Sequence, residues 1–226
     1  LTAGSHTITV KFTVTEEGDY KGIEFTKDYT VVVNPKAITV IVVDVSREYG
    51  AANPAFTVTV PDGALVGNDT ISDLNLSLTT SADASSEPGT YDVTGIANNP
   101  NYIVTVDGAN KLTVTKAELT LTGTPSFDEI LANDPANESL ITLTGAVQIA
   151  NSTFTATYAN GESSLTATWT LKTGTYDRKG GTYTFEADMT PTDSTRFSYS
   201  GPKPTLTVTV KPVIGTYTYA PAAILK

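Results

Sequence analysis

Apolar and polar residues alternate with a period of two along most of the chain, the signature of half-buried strands. Ile8, Val10, Phe12 and Val14 alternate with Thr7, Thr9, Lys11 and Thr13. Phe56, Val58 and Val60 alternate with threonines, as do Leu165, Ala167, Trp169 and Leu171. Leu74, Leu76 and Leu78, then Tyr183, Phe185, Ala187 and Met189, then Leu206, Val208 and Val210 continue the pattern. Threonine fills the wet positions, where its β-branched side chain suits an extended backbone. Turn residues separate the runs at Pro61-Asp62-Gly63, Glu87-Pro88-Gly89, Asp107-Gly108, Asn160-Gly161 and Lys179-Gly180-Gly181. One short helix is predicted around Asp128 to Leu131. Many short strands with frequent turns predict an all-β protein of sandwich type.

The runs repeat. AGSHTITVKFTVTEEGDY, closing on YTVVVNPKA, is echoed by GGTYTFEADMTPTDSTRF, closing on LTVTVKP. Gly4 to Tyr20 and Gly181 to Phe197 each span 16 positions; Tyr20 to Pro35 and Phe197 to Pro212 each span 15. A shorter copy, PGTYDVTGIANNPNY, closes on LTVTKA, with 13 positions from Gly89 to Tyr102. The exit lysines Lys36, Lys116 and Lys211 are 80 and 95 positions apart, one immunoglobulin-sized sandwich each time. The expected division is 1–36 as the C-terminal half of a module, 37–116 and 117–212 as two whole modules, and 213–226 as a tail or the start of a further repeat. With almost no linker between exit and entry strands, the expected architecture is a tandem, elongated and stiff array.

Tyr49-Gly50-Ala51-Ala52-Asn53-Pro54 interrupts this regularity. The first strand of its module is expected to end near Val45 and the next to begin at Phe56. Gly50 suits a reversal with positive φ, Pro54 holds Asn53 extended, and Tyr49 lays its ring on a core edge. KAITV, YGAANP, PGTYDVTG and NYIVTVDGANKLTVTKA, in that order, make residues 37–116 resemble the MBG-type repeats of bacterial surface proteins, an immunoglobulin-like family. The flanking modules resemble related bacterial repeats through GGTYTF, TPTD and the closing strand. The structural motif residues are Tyr49, Gly50, Asn53, Pro54, Gly89, Tyr91 and Tyr102. The resemblance implies tandem extracellular modules of large, adhesin-like proteins. It implies no catalytic residue.

Composition narrows the function. The 226 residues carry 14 Lys and Arg against 24 Asp and Glu, a formal charge of −10, which leaves no basic patch for nucleic acid or an anionic membrane. The charged fraction of 17% stands beside 39% hydrophobic residues, enough for packed cores. No cysteine is present, so thiolate chemistry, disulfides and Cys-ligated zinc are excluded; this leans towards a bacterial surface or secreted protein. The sequence begins at Leu1 with no apolar run of membrane-spanning length, and is read as an excised part of something longer, extracellular or at the cell surface, with no membrane insertion in this segment.

Candidate chemistry is sparse. His6 shares the parity of Ile8 and Val10 and reads as structural. Glu16-Glu17 and Asp128-Glu129 are adjacent carboxylates in polar loops, whereas a catalytic pair converges across a cleft. Asp69 with Asp73, and Asp188 with Asp193, are spaced by turn residues; turn chemistry is preferred to calcium. Trp169 has core parity. Tyr158, Tyr176, Tyr183 and Tyr199 are the candidates for an exposed aromatic strip. Asn68-Asp69-Thr70 and Asn151-Ser152-Thr153 match the glycosylation sequon. Lys172 and Glu186 are the candidate nucleophile and proton shuttle of a lysine–asparagine isopeptide crosslink. No enzyme activity, cofactor or metal is expected. Three functions stay open: a structural spacer; an adhesin module holding a glycan or a host or bacterial surface protein, which loops such as Asn133 to Ser139 permit; and an accessory module of a secreted polysaccharide-active enzyme. Strand addition between the tail 213–226 of one molecule and the open segment 1–36 of another would give weak head-to-tail self-association.

Overall fold

The computed structural model describes residues 1–15, 17–123, 130–131, 152–173 and 181–211. Among the described residues the regular elements are strands, apart from one 3-10 turn at Ile71–Leu74. The all-β class expected from the alternation is therefore observed. Packing divides the chain into two compact units: Leu1–Arg47 with Ala52–Val114, and Glu48–Ala51 with Thr115–Lys226.

The first unit contains β1 (Gly4–Thr13), β2 (Glu24–Val33), β3 (Lys36–Val42), β4 (Val45–Glu48), β5 (Val58–Thr59), β6 (Leu76–Thr80), β7 (Gly89–Tyr91), β8 (Val93–Ala97), β9 (Tyr102–Asp107) and β10 (Leu112–Thr115). Strands order as β5-β3-β9, β4-β10-β7, β6-β8 and the separate ribbon β1-β2. Ile38 and Val40 of β3 pack with Leu74, Tyr102 and Leu76 of β6, and Val42 packs with Ala82, Val93 and Leu112. Side chains of different sheets thus share each cluster, as in a sandwich. The first strand does not simply end near Val45. It breaks at Val43-Asp44 and resumes as β4 in another sheet, where Val45 N–H donates to Lys111 O (2.9 Å). Switching sheets lets one segment serve both layers. The next strand begins at Val58 rather than Phe56.

The second unit contains β11 (Ala117–Glu118), β12 (Thr120–Leu121), β13 (Ile130–Leu131), β14 (Ser152–Tyr158), β15 (Gly161–Thr173), β16 (Gly181–Pro191), β17 (Phe197–Ser198) and β18 (Thr205–Lys211). A six-stranded sheet runs β12-β14-β15-β16-β18-β13, and β11 pairs in parallel with β17. The helix expected around Asp128 to Leu131 is not observed at Ile130–Leu131. Those residues pair in parallel with Val210 and Lys211, so β-branched and apolar character wins where a sheet edge is on offer. Asp128 and Glu129 lie outside the described residues.

The sequence repeat has a structural counterpart. Gly4 faces Val33, Gly89 faces Val114 and Gly181 faces Val210, each across an antiparallel pair. Each opening glycine therefore meets a valine of its exit strand in the same register. The surroundings of these ribbons differ. On β16 and β18, Phe185 is 1% and Leu206 5% exposed; at the matching positions of β1 and β2, Ile8 is 42% and Tyr29 44% exposed. Phe12 and Phe25, directly opposite each other on the same face, are 51% and 58% exposed. The expectation that His6 points to a core face is thus corrected: that face of β1 is open, and His6 Nε2–H donates to Thr2 O (2.7 Å).

Candidate functional site

The most distinctive local geometry lies in and around Tyr49-Gly50. The chain turns immediately after β4, where Tyr49 N–H donates to Thr115 O (2.8 Å) and Ala51 N–H to Glu48 O (3.2 Å). The Tyr49 ring stands edge-on to Phe197, with centroids 5.6 Å apart at 85°, and 6.5 Å from Tyr158. The Arg196 guanidinium lies 5.4 Å from its centroid. Such tilted aromatic contacts add to area burial through complementary ring edges and faces. Gly50 has φ +83°, and a Cβ there would come within 2.7 Å of Tyr158 Cε2. Both backbone angle and space therefore demand glycine. The expected core edge for Tyr49 belongs to the second unit, where it adjoins Ala117, Leu119, Ala156, Leu165 and Phe197.

Asn53 has a different task. Its Oδ1 accepts from Arg47 Nε (2.6 Å), and its Nδ2 donates to Ala82 O (2.7 Å). Arg47, 7% exposed, also donates from Nη2 to Asp83 O. Burying a guanidinium without partners is costly, so Asn53, itself held by Ala82 O, and the Asp83 carbonyl make this position tenable. Pro54 follows, half-buried, and holds the residue before it extended. Arg47 was missed by sequence reasoning. Its signal was present: it occupies the parity of Val45 on β4, an arginine at an apolar position.

Gly89, Tyr91 and Tyr102 do not converge with that turn on a site. A Cβ on Gly89 would find Glu87 O only at 4.0 Å, so neither space nor backbone angle requires this glycine. Tyr91 packs beside Val42, Ala82, Val93 and Leu112, and its hydroxyl donates to Glu87 O (2.7 Å). Tyr102 is buried; its hydroxyl donates to Asp69 Oδ2 (2.6 Å) and accepts from Val66 N–H (2.9 Å). The bond to Asp69 holds the phenol pKa above its usual range. These tyrosines fasten loops to the sandwich.

The acidic side chains are similarly committed. Asp73 accepts from Thr70 N–H and hydroxyl (2.7 Å each), while Asp193 accepts from the Thr195 hydroxyl and from Thr195 N–H. Asp188 pairs with Lys203. Hydrogen bonds from Thr70, Ser85, Ser198 and Thr195 hold the carboxyls of Asp73, Asp83, Glu118 and Asp193 below their usual range. They are fixed as turn and strand-end acceptors, the wrong setting for a proton donor near neutral pH. Glu17 pairs with Lys21 (3.3 Å); Glu16 lies outside the described residues, as does Asn151. No group of three or more potential metal ligands occurs among the described residues.

Three further sequence candidates have defined settings. Lys172 sits at a register shift in β15 and pairs with Glu186 at 2.6 Å; their side chains are 49% and 32% exposed. An isopeptide-forming lysine needs a dry site that lowers its pKa, so this pair reads as a surface ion pair. Trp169 is buried among Ala167, Tyr183, Phe185 and Ala187, as its parity predicted. The tyrosines give no exposed strip: Tyr183 is in that core, Tyr158 is half-buried against Phe197, and the half-buried Tyr199 donates to Pro202 O. Period-2 parity assigns a face, and these rings share the parity of core residues. Tyr176 lies outside the described residues.

The second unit also has an apolar cleft of about 500 Å³ lined by Leu119, Leu121, Tyr199, Pro202 and Pro204, with Glu118 at its side. Glu118 is already occupied by the Ser198 hydroxyl and Ser200 N–H. No helix among the described residues is long and apolar enough to cross a membrane.

No curated protein and no solved structure matches the chain. Residues 38–113 match the family model described as the MBG domain, YGX type, which bears out over that module the resemblance carried by KAITV, YGAANP and PGTYDVTG.

Proposed function

We propose that the chain is a non-catalytic structural region of a bacterial cell-surface or secreted protein, a set of spacer modules that supports an adhesive or other functional domain. The observation that carries this reading is the recurring ribbon. Three glycines meet three valines in one register, and each is followed two positions on by a ring-bearing residue, His6, Tyr91 or Tyr183. What recurs is backbone pairing and an apolar face; the polar groups at hand cap turns and hold loops. The family match over 38–113 supports a surface-protein repeat module. The absence of cysteine agrees with a bacterial extracellular setting.

A glycan array and a panel of surface proteins probed with the 226-residue chain test this reading against an adhesin. The spacer role expects no saturable binding. Saturable binding abolished by one side-chain substitution would replace it with the adhesive reading. Turnover in a polysaccharide-hydrolysis screen that one substitution removes would overturn the non-catalytic assignment.

A further inference from the structure

The Tyr49-Gly50 turn lies within the stretch 38–113 that matches the MBG domain, yet it packs as part of the second unit, to which Glu48–Ala51 belong. Its partners Tyr158, Arg196 and Phe197 all lie outside the matched stretch. Tyr158 is the centre of the arrangement. Its ring tilts against Phe197, with centroids 5.1 Å apart, and two glycines approach it. A Cβ on Gly50 would come within 2.7 Å of Tyr158 Cε2, and a Cβ on Gly161 within 3.2 Å of Tyr158 Oη. Gly161 pairs with Tyr158 across their own hairpin, whereas Gly50 comes from a turn far upstream. A positive φ accounts for glycine in any tight turn. It does not account for the approach of Gly50 to Tyr158, which is a matter of fit between distant segments. The Tyr49 ring completes that fit, edge-on to Phe197 and under the Arg196 guanidinium.

We propose that Tyr158, Phe197 and Arg196 form a socket for an aromatic–glycine turn, and that through it the second unit selects the repeat that precedes it in the chain. The ligand is defined by its chemistry. It is an aromatic ring that meets Phe197 edge-on and takes the guanidinium charge on its face, followed by a residue with no Cβ to pass Tyr158. Residues 49 and 50 of the same chain fill the socket here. The inference rests on the reading of the chain as spacer repeats and adds a rule of succession to it. An upstream repeat with an aliphatic residue at the first place, or alanine at the second, would leave the socket badly filled.

Hydrogen exchange in the whole 226-residue chain tests the socket. It is followed at Ala117 and Leu119, whose amides donate to Arg196 O (3.0 Å) and Ser198 O (2.8 Å) on either side of Phe197, with the β3–β9 amides as internal reference. Tyr49→Leu and Gly50→Ala should each speed exchange at Ala117 and Leu119 at least about tenfold and leave the reference amides unchanged. Tyr49→Phe, which keeps the ring, should stay within about threefold of the parent. In Tyr49→Ala, millimolar p-cresol, the tyrosine side chain as a free molecule, should restore part of the protection, and methylcyclohexanol, of the same size without the aromatic ring, should not. Parent-like exchange in Tyr49→Leu, exchange in Tyr49→Phe as fast as in Tyr49→Leu, equal rescue by the two small molecules, or equal acceleration of the reference amides would each overturn the proposal. Glycan or surface-protein binding, which would overturn the spacer reading, leaves these rates untouched, so the two failures are told apart.

Discussion

The two long ribbons, residues 4–33 and 181–211, are one piece of backbone in two settings. Both open on glycine, pair that glycine with valine, and alternate apolar residues with threonine. On β16 the apolar stripe is buried beside β15; on β1 the same stripe is exposed. The pairing is thus local, fixed by the hairpin sequence, whereas burial depends on a neighbour. Most of the stabilisation from an apolar strand comes from what covers it. Two strands alone are marginal for that reason.

The largest test of the contrast is a pair of matched truncations. Phe185→Ala should destabilise the second unit by about 3–5 kcal/mol, the usual cost of emptying a buried aromatic site. Ile8→Ala, at the corresponding position, should cost less than about 1 kcal/mol, as surface changes do. Thermal or denaturant unfolding monitored separately for each unit reads both; equal losses would break the comparison. Tyr49→Ala comes next. Its half-buried ring packs on Phe197, so unfolding of the second unit should move by about 2 kcal/mol although the residue lies inside the 38–113 module. Native-state hydrogen exchange sharpens the contrast further: β16 amides should exchange at least about 100-fold more slowly than β1 amides, because protection follows burial and local contact density. The smallest effects belong to the ion pairs. Lys11 with Glu24 and Lys203 with Asp188 are well exposed in both settings. Removing either lysine should change stability marginally, and the change should vanish in high salt.

This explains what could be read from the residues alone. Register was legible because glycine, aromatic and exit strand recur at fixed spacing, and backbone pairing is set within each copy. Trp169 was legible because its parity matches Leu165 and Ala167. The exposure of Ile8 and Phe12 was not, since alternation marks a face without saying whether anything lies against it. The same gap misplaced Tyr183, whose ring is covered by the cluster around Phe185. The switch of sheets at Val43-Asp44 was hidden because both halves of the segment have strand character. The YGAANP turn was legible as scaffolding through Gly50 and Pro54. Its partners Phe197 and Tyr158 were not, since contacts distant in sequence leave no local mark.

Arg47 carries a consequence of its own. The guanidinium donates to the Asn53 amide oxygen and to the Asp83 carbonyl, and its charge also helps the Ser85 hydrogen bonds to hold the Asp83 carboxyl below its usual range. One buried side chain therefore joins β4, the turn at Asn53 and the loop at Asp83, segments spread over 36 positions of sequence. Parting any one of them from the others means breaking a bond to a buried charge, so the node works as a latch on the loops at that end of the first unit.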